Sequence, residues 1–244
     1  GIQHELNDPQ SILSDRIDDE VYQNHPYSVT MGAKPETVDN ITIENMRALY
    51  EKIMRPEDMY IVAGGNINAK KLVATLNKTI GKLKTGRGSA RNKIDVPKVN
   101  ITGENIVLSH PSAQGTGFVA RVFAAPSIED SDYVSAKIAA EIFSDTLFNV
   151  VREHHGACYT PSTSTGSSFA PIGFEYLFKL SDAEHFAQYM AEARDYMAED
   201  KLIETANEDG TYQFTTVESR VDGFKNSFIN SSYASQATVG SMTA

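Results

Sequence analysis

Between Lys82 and Lys93 the sequence runs Lys-Leu-Lys-Thr-Gly-Arg-Gly-Ser-Ala-Arg-Asn-Lys, and no helical or strand periodicity can pass through it. Glycine and serine lower the cost of bending, and the repeated cations repel one another, so the composition predicts a flexible connector. A chain of 244 residues can hold one large domain or two ordinary ones. The break therefore divides it into halves that each need their own apolar surface.

The same stretch is the one basic cluster in a chain of net charge −10. Nucleic-acid binders draw much of their affinity from neutralising phosphates, and stacking adds the rest. An acidic chain whose basic run holds no aromatic residue predicts no nucleic-acid partner. No apolar run approaches the roughly 18 to 20 residues that cross a bilayer, so no membrane span is expected. With 41% hydrophobic and 22% charged residues the chain is expected to be soluble, cytoplasmic or periplasmic, without a decision between the two. Gly1 in place of Met, with no basic-then-apolar leader, suggests a processed end or a piece of something longer. The single cysteine, Cys158, excludes an internal disulfide and any cysteine-based zinc finger.

Before the connector, Ile12, Leu13, Ile17 and Val21 recur at helical spacing after Asp8-Pro9, which predicts a helix from Ser11 to Tyr22. A second helix is expected from Thr42, an N-cap hydroxyl whose capping box Asn45 does not complete. Ile43, Met46, Leu49, Tyr50 and Ile53 form its inward stripe, and it stops before Pro56. Met59 to Ala63 predicts a short buried strand that leaves through Gly64-Gly65, and a third helix covers Ala69 to Ile80. Beyond the connector, strands are expected at 105–108, 117–124, 158–164 and 173–180. A long helix should cover 130–154, another 182–199 with Ser181 or Asp182 as cap, and a last one lies between Tyr212 and Ala237. This order predicts an α+β fold with mixed sheets packed against helices.

Two blocks of residues point to a family. The first runs His25-Pro26-Tyr27, Gly32, Val38-Asp39-Asn40-Ile41-Thr42, Tyr50, Pro56-Glu57-Asp58-Met59 and Val62-Ala63-Gly64-Gly65-Asn66-Ile67. The second is Leu147 to Tyr159, where a helix-end Arg152 precedes Gly156-Ala157-Cys158-Tyr159. In order and spacing they resemble the pitrilysin/insulysin zinc metallopeptidases, over most of residues 7 to 200. The resemblance implies two pitrilysin-like units joined by a linker: residues 1–83 as the C-terminal part of one, 84–104 as the linker, and 105–244 as a second unit, possibly cut short. Members of that family are inverzincins, whose His-x-x-Glu-His helix binds zinc while its glutamate acts as general base.

No such motif is present here. His154 and His155 are adjacent and so point apart on a helix, and neither His4-Glu5 nor Glu184-His185 has a partner at the needed spacing. The family's further glutamate would fall at or before the N-terminus, where Gly1 and Gln3 offer no anionic ligand and Glu5 fits only if the register slips. The resemblance therefore implies zinc in a parent enzyme or partner half and none bound by this chain. By the same resemblance, Arg152 and Tyr159 would contact peptide substrate, since guanidinium and phenol are fixed donors able to stabilise an oxyanion beside a metal. The partners implied are a zinc-bearing half and a peptide.

Blander readings stand beside these. Arg152 suits a helix C-terminus on electrostatic grounds alone, and Tyr159 suits a strand. His25 and His110, each beside a proline, are expected to be turn residues. Gly64-Gly65 lacks any phosphate-loop signature. An inactive scaffold or peptide-binding homologue is the alternative function.

Overall fold

The structure is a computed structural model that describes residues 7–29, 34–84, 95–113, 115–207, 209–237 and 240. Residues 85–94, the centre of the expected connector, lie outside it, as do the positions of Gly1, Gln3 and Glu5. In chain order the elements are α1 (Pro9–Val21), α2 (Pro35–Val38), α3 (Ile43–Ile53), α4 (Ala69–Lys78), β1 (Gly117–Ala124), α5 (Tyr133–Leu147), β2 (Thr160–Thr165), β3 (Ile172–Leu180), α6 (Phe186–Ala198), β4 (Ile203–Ala206), β5 (Tyr212–Thr215) and α7 (Val217–Ala234). The described residues thus form an α+β fold. Among them no helix is long and apolar enough to cross a membrane. Two compact units are distinguished, Gly1–Met31 with Asp95–Phe228, and Gly32–Ile94 with Ile229–Ala244.

The first unit is built on a sheet of order β1-β3-β2. Both outer strands run antiparallel to β3, so the sheet is purely antiparallel where a mixed one was expected. The short return from β2 to β3 allows only an antiparallel pair. The helix between β1 and β2 then carries the chain across a gap that β3 later fills, a split β-α-β arrangement. Alternation along β3 separates two faces. Leu177 joins Phe143, Leu147, Val150, Val151, Met190 and Ala193 in the core between sheet and helices. On the opposite face Phe174, Tyr176 and Phe178 form a ladder, with ring centroids 5.1 and 4.8 Å apart. Near its end β3 makes a bulge against β1, and Lys179 there takes a φ of 55°.

Helix α5 does not stop at Leu147. It widens into a π-helical segment, Phe148–His154, whose last bond runs from His155 N–H to Val150 O over 3.3 Å. The wider turn narrows the angle between neighbours, so Leu147, Val150 and Val151 are all fully buried. The expected 130–154 helix is therefore present in two geometries.

In the second unit, Thr42 caps α3 and Asn45 closes the capping box after all. Thr42 Oγ1 accepts from Asn45 N–H at 3.2 Å, and Asn45 Oδ1 accepts from Thr42 N–H at 3.0 Å. The shorter asparagine thus does the work usually given to glutamate or glutamine. Other expectations failed. Met59 to Ala63 forms no strand, with Tyr60, Ile61 and Val62 exposed, and 105–108 forms none either. A strand needs a neighbour to satisfy its backbone, and among the described residues none pairs with these segments. Ile43, Met46, Leu49, Tyr50 and Ile53 on α3 are exposed rather than inward. The helix expected from Asp182 starts as a 3-10 turn, Ala183–His185, without a side-chain cap on α6. The β4–β5 hairpin was not foreseen.

Candidate functional site

The end of the π segment and the start of β2 bring Arg152 and Tyr159 together. Arg152 lies on the last turn, where the open carbonyls favour a cation. Gly156 N–H then bonds Arg152 O at 2.9 Å, and Ala157 N–H bonds Val151 O at 3.1 Å, closing the helix. This reversal needs a φ of +60° at Gly156, a left-handed value that glycine adopts without penalty. Ala157 O accepts from Ser181 N–H at 2.9 Å, which ties the turn to the end of β3. Cys158 is buried beneath it, its thiol donating to Phe178 O at 3.0 Å, and burial pushes that thiol's pKa up.

Within this frame the Arg152 guanidinium is held on three sides. Its Nη1 donates to Tyr159 O at 3.1 Å. Its carbon lies 4.5 Å from the centre of the Tyr159 ring and 4.6 Å from that of Phe148. Two aromatic faces on one cation fix its plane and offset the entropy of ordering a long side chain. Glu153 Oε1 lies 3.4 Å from Nε and partly balances the charge. Tyr159 is 70% exposed, so its phenol reaches into solvent beside the fixed guanidinium. A planar cation and an accessible hydroxyl on one short turn can bind a carboxylate, a peptide carbonyl or a developing oxyanion. Phe148 was not singled out in the sequence. Its signal is the i, i+4 spacing to Arg152, which puts both on one helical face.

His25, His154 and His155 make local contacts. His25 is buried; its Nδ1 accepts from Tyr27 N–H at 3.0 Å, so the other nitrogen carries the proton and donates to Pro97 O at 2.8 Å. His155 lies 2.7 Å from Glu192, whereas His154 faces the Tyr196 ring, so the adjacent pair diverges as expected. Among the described residues one group sets three possible metal ligands within 4.8 Å of one another: Asp182, Glu184 and His185. It offers one imidazole and two carboxylates, the histidine already bonded to Asp182 at 2.5 Å. An inverzincin zinc needs two histidines from one helix, and these residues do not fit it.

A second polar cluster escaped the sequence reading. Glu175 on β3 is 4% exposed. It accepts two 2.6 Å bonds from Arg121 of β1 and one of 3.1 Å from Arg194 of α6. Strand register sets Arg121 directly opposite Glu175, and only the fold supplies Arg194.

A family model described as the peptidase M16 inactive domain matches residues 40–201, a span that contains Arg152 and Tyr159. A Rickettsia felis protein described as an uncharacterized zinc protease is 22% identical over 198 residues, covering 80% of this chain and 44% of that one. The crystal structure of a peptidase M16 inactive domain from Pseudomonas fluorescens is similar with a TM-score of 0.65 at 16% identity, covering 81% of this chain and 49% of that one. A conserved protein of Enterococcus faecalis V583 is similar with a TM-score of 0.56 at 17% identity, over 99% of this chain and 54% of that one. The chain spans about half the length of these relatives.

Proposed function

The chain belongs to the family of peptidase M16 inactive domains, and from that premise we propose that it is a non-catalytic segment of a zinc-dependent endopeptidase. In this reading it shapes the peptide cavity and offers Arg152 and Tyr159 to a zinc-bearing half, in the same parent polypeptide or a partner subunit. The observation that carries the reading is the guanidinium held between Phe148 and Tyr159 with the phenol exposed beside it. A donor whose plane is fixed before substrate arrives needs no reorganisation during the reaction. Zinc chemistry belongs to the other half. The Rickettsia protein is described as an uncharacterized zinc protease, and the sequence of this chain carries no His-x-x-Glu-His motif.

The division into a unit over 1–83, a linker over 84–104 and a unit over 105–244 is part of the proposal. So is the peptide, which would bind as an added strand. Strand β2 starts directly after Tyr159 and, among the described residues, pairs only with β3. Pro161 within it suits an edge strand. A peptide laid along that edge would pass the Tyr159 phenol.

The test is steady-state kinetics on the assembled enzyme with Arg152→Ala and with Tyr159→Phe. Removing a donor used in the transition state should lower kcat by up to about 10²–10³-fold with little change in KM. Unchanged kcat in both variants removes the pair from the mechanism. The family's description as inactive favours a second reading, an inactive scaffold or peptide-binding homologue. In that case the two variants change peptide affinity, and no partner restores hydrolysis.

A further inference from the structure

Between the core face of the sheet and helices α5 and α6 lies a cavity of about 470 Å³, within the roughly 300–1,000 Å³ typical of small-ligand clefts. Its apolar wall comes from Phe123, Phe143, Met197 and three alanines, Ala136, Ala139 and Ala140. The alanines recur at i, i+3 and i+4 on one face of α5, where longer side chains would fill the space. Phe123 lies back against the sheet only because residue 173 is glycine. A Cβ there would come within 2.3 Å of its ring.

One side of the cavity is charged. Glu175 and Arg194 line it, and Arg121 shares the same carboxylate. Two guanidiniums against one carboxylate leave an excess of one positive charge. Arg121 uses both Glu175 oxygens, while Arg194 gives that carboxylate a single bond and keeps donors for another acceptor. Nearby, Lys137 Nζ donates to Thr165 O at 3.2 Å, and the Thr165 hydroxyl oxygen is shielded with no hydrogen-bond partner. Thr165 also lines the cavity. A cation would meet the wrong charge here, and a neutral hydrocarbon would leave the excess unmatched.

We propose that this cavity binds a small carboxylate with an apolar tail, its tail among the alanines, Phe143 and Met197, and its carboxylate on Arg194. None of these residues belongs to the Arg152–Tyr159 cluster, so the proposal stands apart from the peptidase reading.

The test uses sodium decanoate, with 1-decanol as the neutral counterpart, each titrated below its aggregation limit into the whole chain. The Met197 and Ala139 methyl resonances report occupancy. Decanoate should shift them saturably in the wild type. Arg194→Met should weaken decanoate roughly ten- to hundredfold while leaving decanol unchanged. Ala139→Phe should abolish both. Arg194→Gln replaces Arg194→Met if the latter alters the methyl spectrum without ligand. Absence of saturable shifts in the wild type overturns the site. Equal decanoate affinity with and without the Arg194 charge overturns the ligand class.

Discussion

Substituting Glu175 by Gln tests whether the buried ion cluster holds the sheet to α6. Gln keeps the shape but removes the charge, and it turns an amide NH₂ toward guanidinium donors. Three charge-assisted bonds are lost or weakened, two of 2.6 Å and one of 3.1 Å. Bonds to charged groups are worth about 1.5–3 kcal/mol each. The full sum does not apply, because the side chains of Arg121 and Arg194 are 47% and 40% exposed and regain water when released. A net loss of about 2–4 kcal/mol follows, near the cost of breaking a buried pair. Urea unfolding followed by far-UV circular dichroism reads the total. Amide exchange at Tyr176 and Leu177 reads it locally, which matters in a chain of two compact units. Arg121→Met should cost more than Arg194→Met, since Arg121 holds both oxygens. A loss under about 0.5 kcal/mol for Glu175→Gln, the level of an ordinary surface substitution, would refute the reasoning.

Two further outcomes follow from the geometry. Gly156→Ala places an L side chain at φ +60° and should cost about 1–2 kcal/mol in thermal unfolding, with lower kcat in the assembled enzyme as Arg152 and Tyr159 shift. Burial, helped by nearby Asp18, pushes the Tyr176 pKa up to about 12 from 10.0. Its phenol is neutral in both states below pH 10, so its contribution is fully present there. Between pH 10 and about 12 the unfolded chain alone loses the proton, and stability falls. Tyr176→Phe should flatten that alkaline loss in a pH series of urea midpoints.

Local features were legible where one residue type has one physical use. The alternation over 117–124 and 173–180 gave two strands, observed as Gly117–Ala124 and Ile172–Leu180, Asp8-Pro9 opened α1, and Gly156 after the helix-end Arg152 marked the turn toward Tyr159. Periodicity also identified the apolar stripe of α3, from Ile43 to Ile53, yet it carries no information about what covers such a face. For the same reason Met59 to Ala63 has strand composition without a strand, because pairing depends on a neighbour that local sequence does not name. The π segment hid inside a good helical pattern, with the consecutive Val150 and Val151, both buried, as its one trace. Arg194 gave no sign of meeting Glu175, since the strand-to-helix contact exists only after folding.

The measurement that tests the central claim most directly is the zinc content of the purified chain, by elemental mass spectrometry after exhaustive buffer exchange. A non-catalytic segment predicts less than about a tenth of a zinc per chain, because tight binding needs a preformed ligand set. One zinc per chain, retained through exchange and accompanied by peptide hydrolysis, would contradict the account.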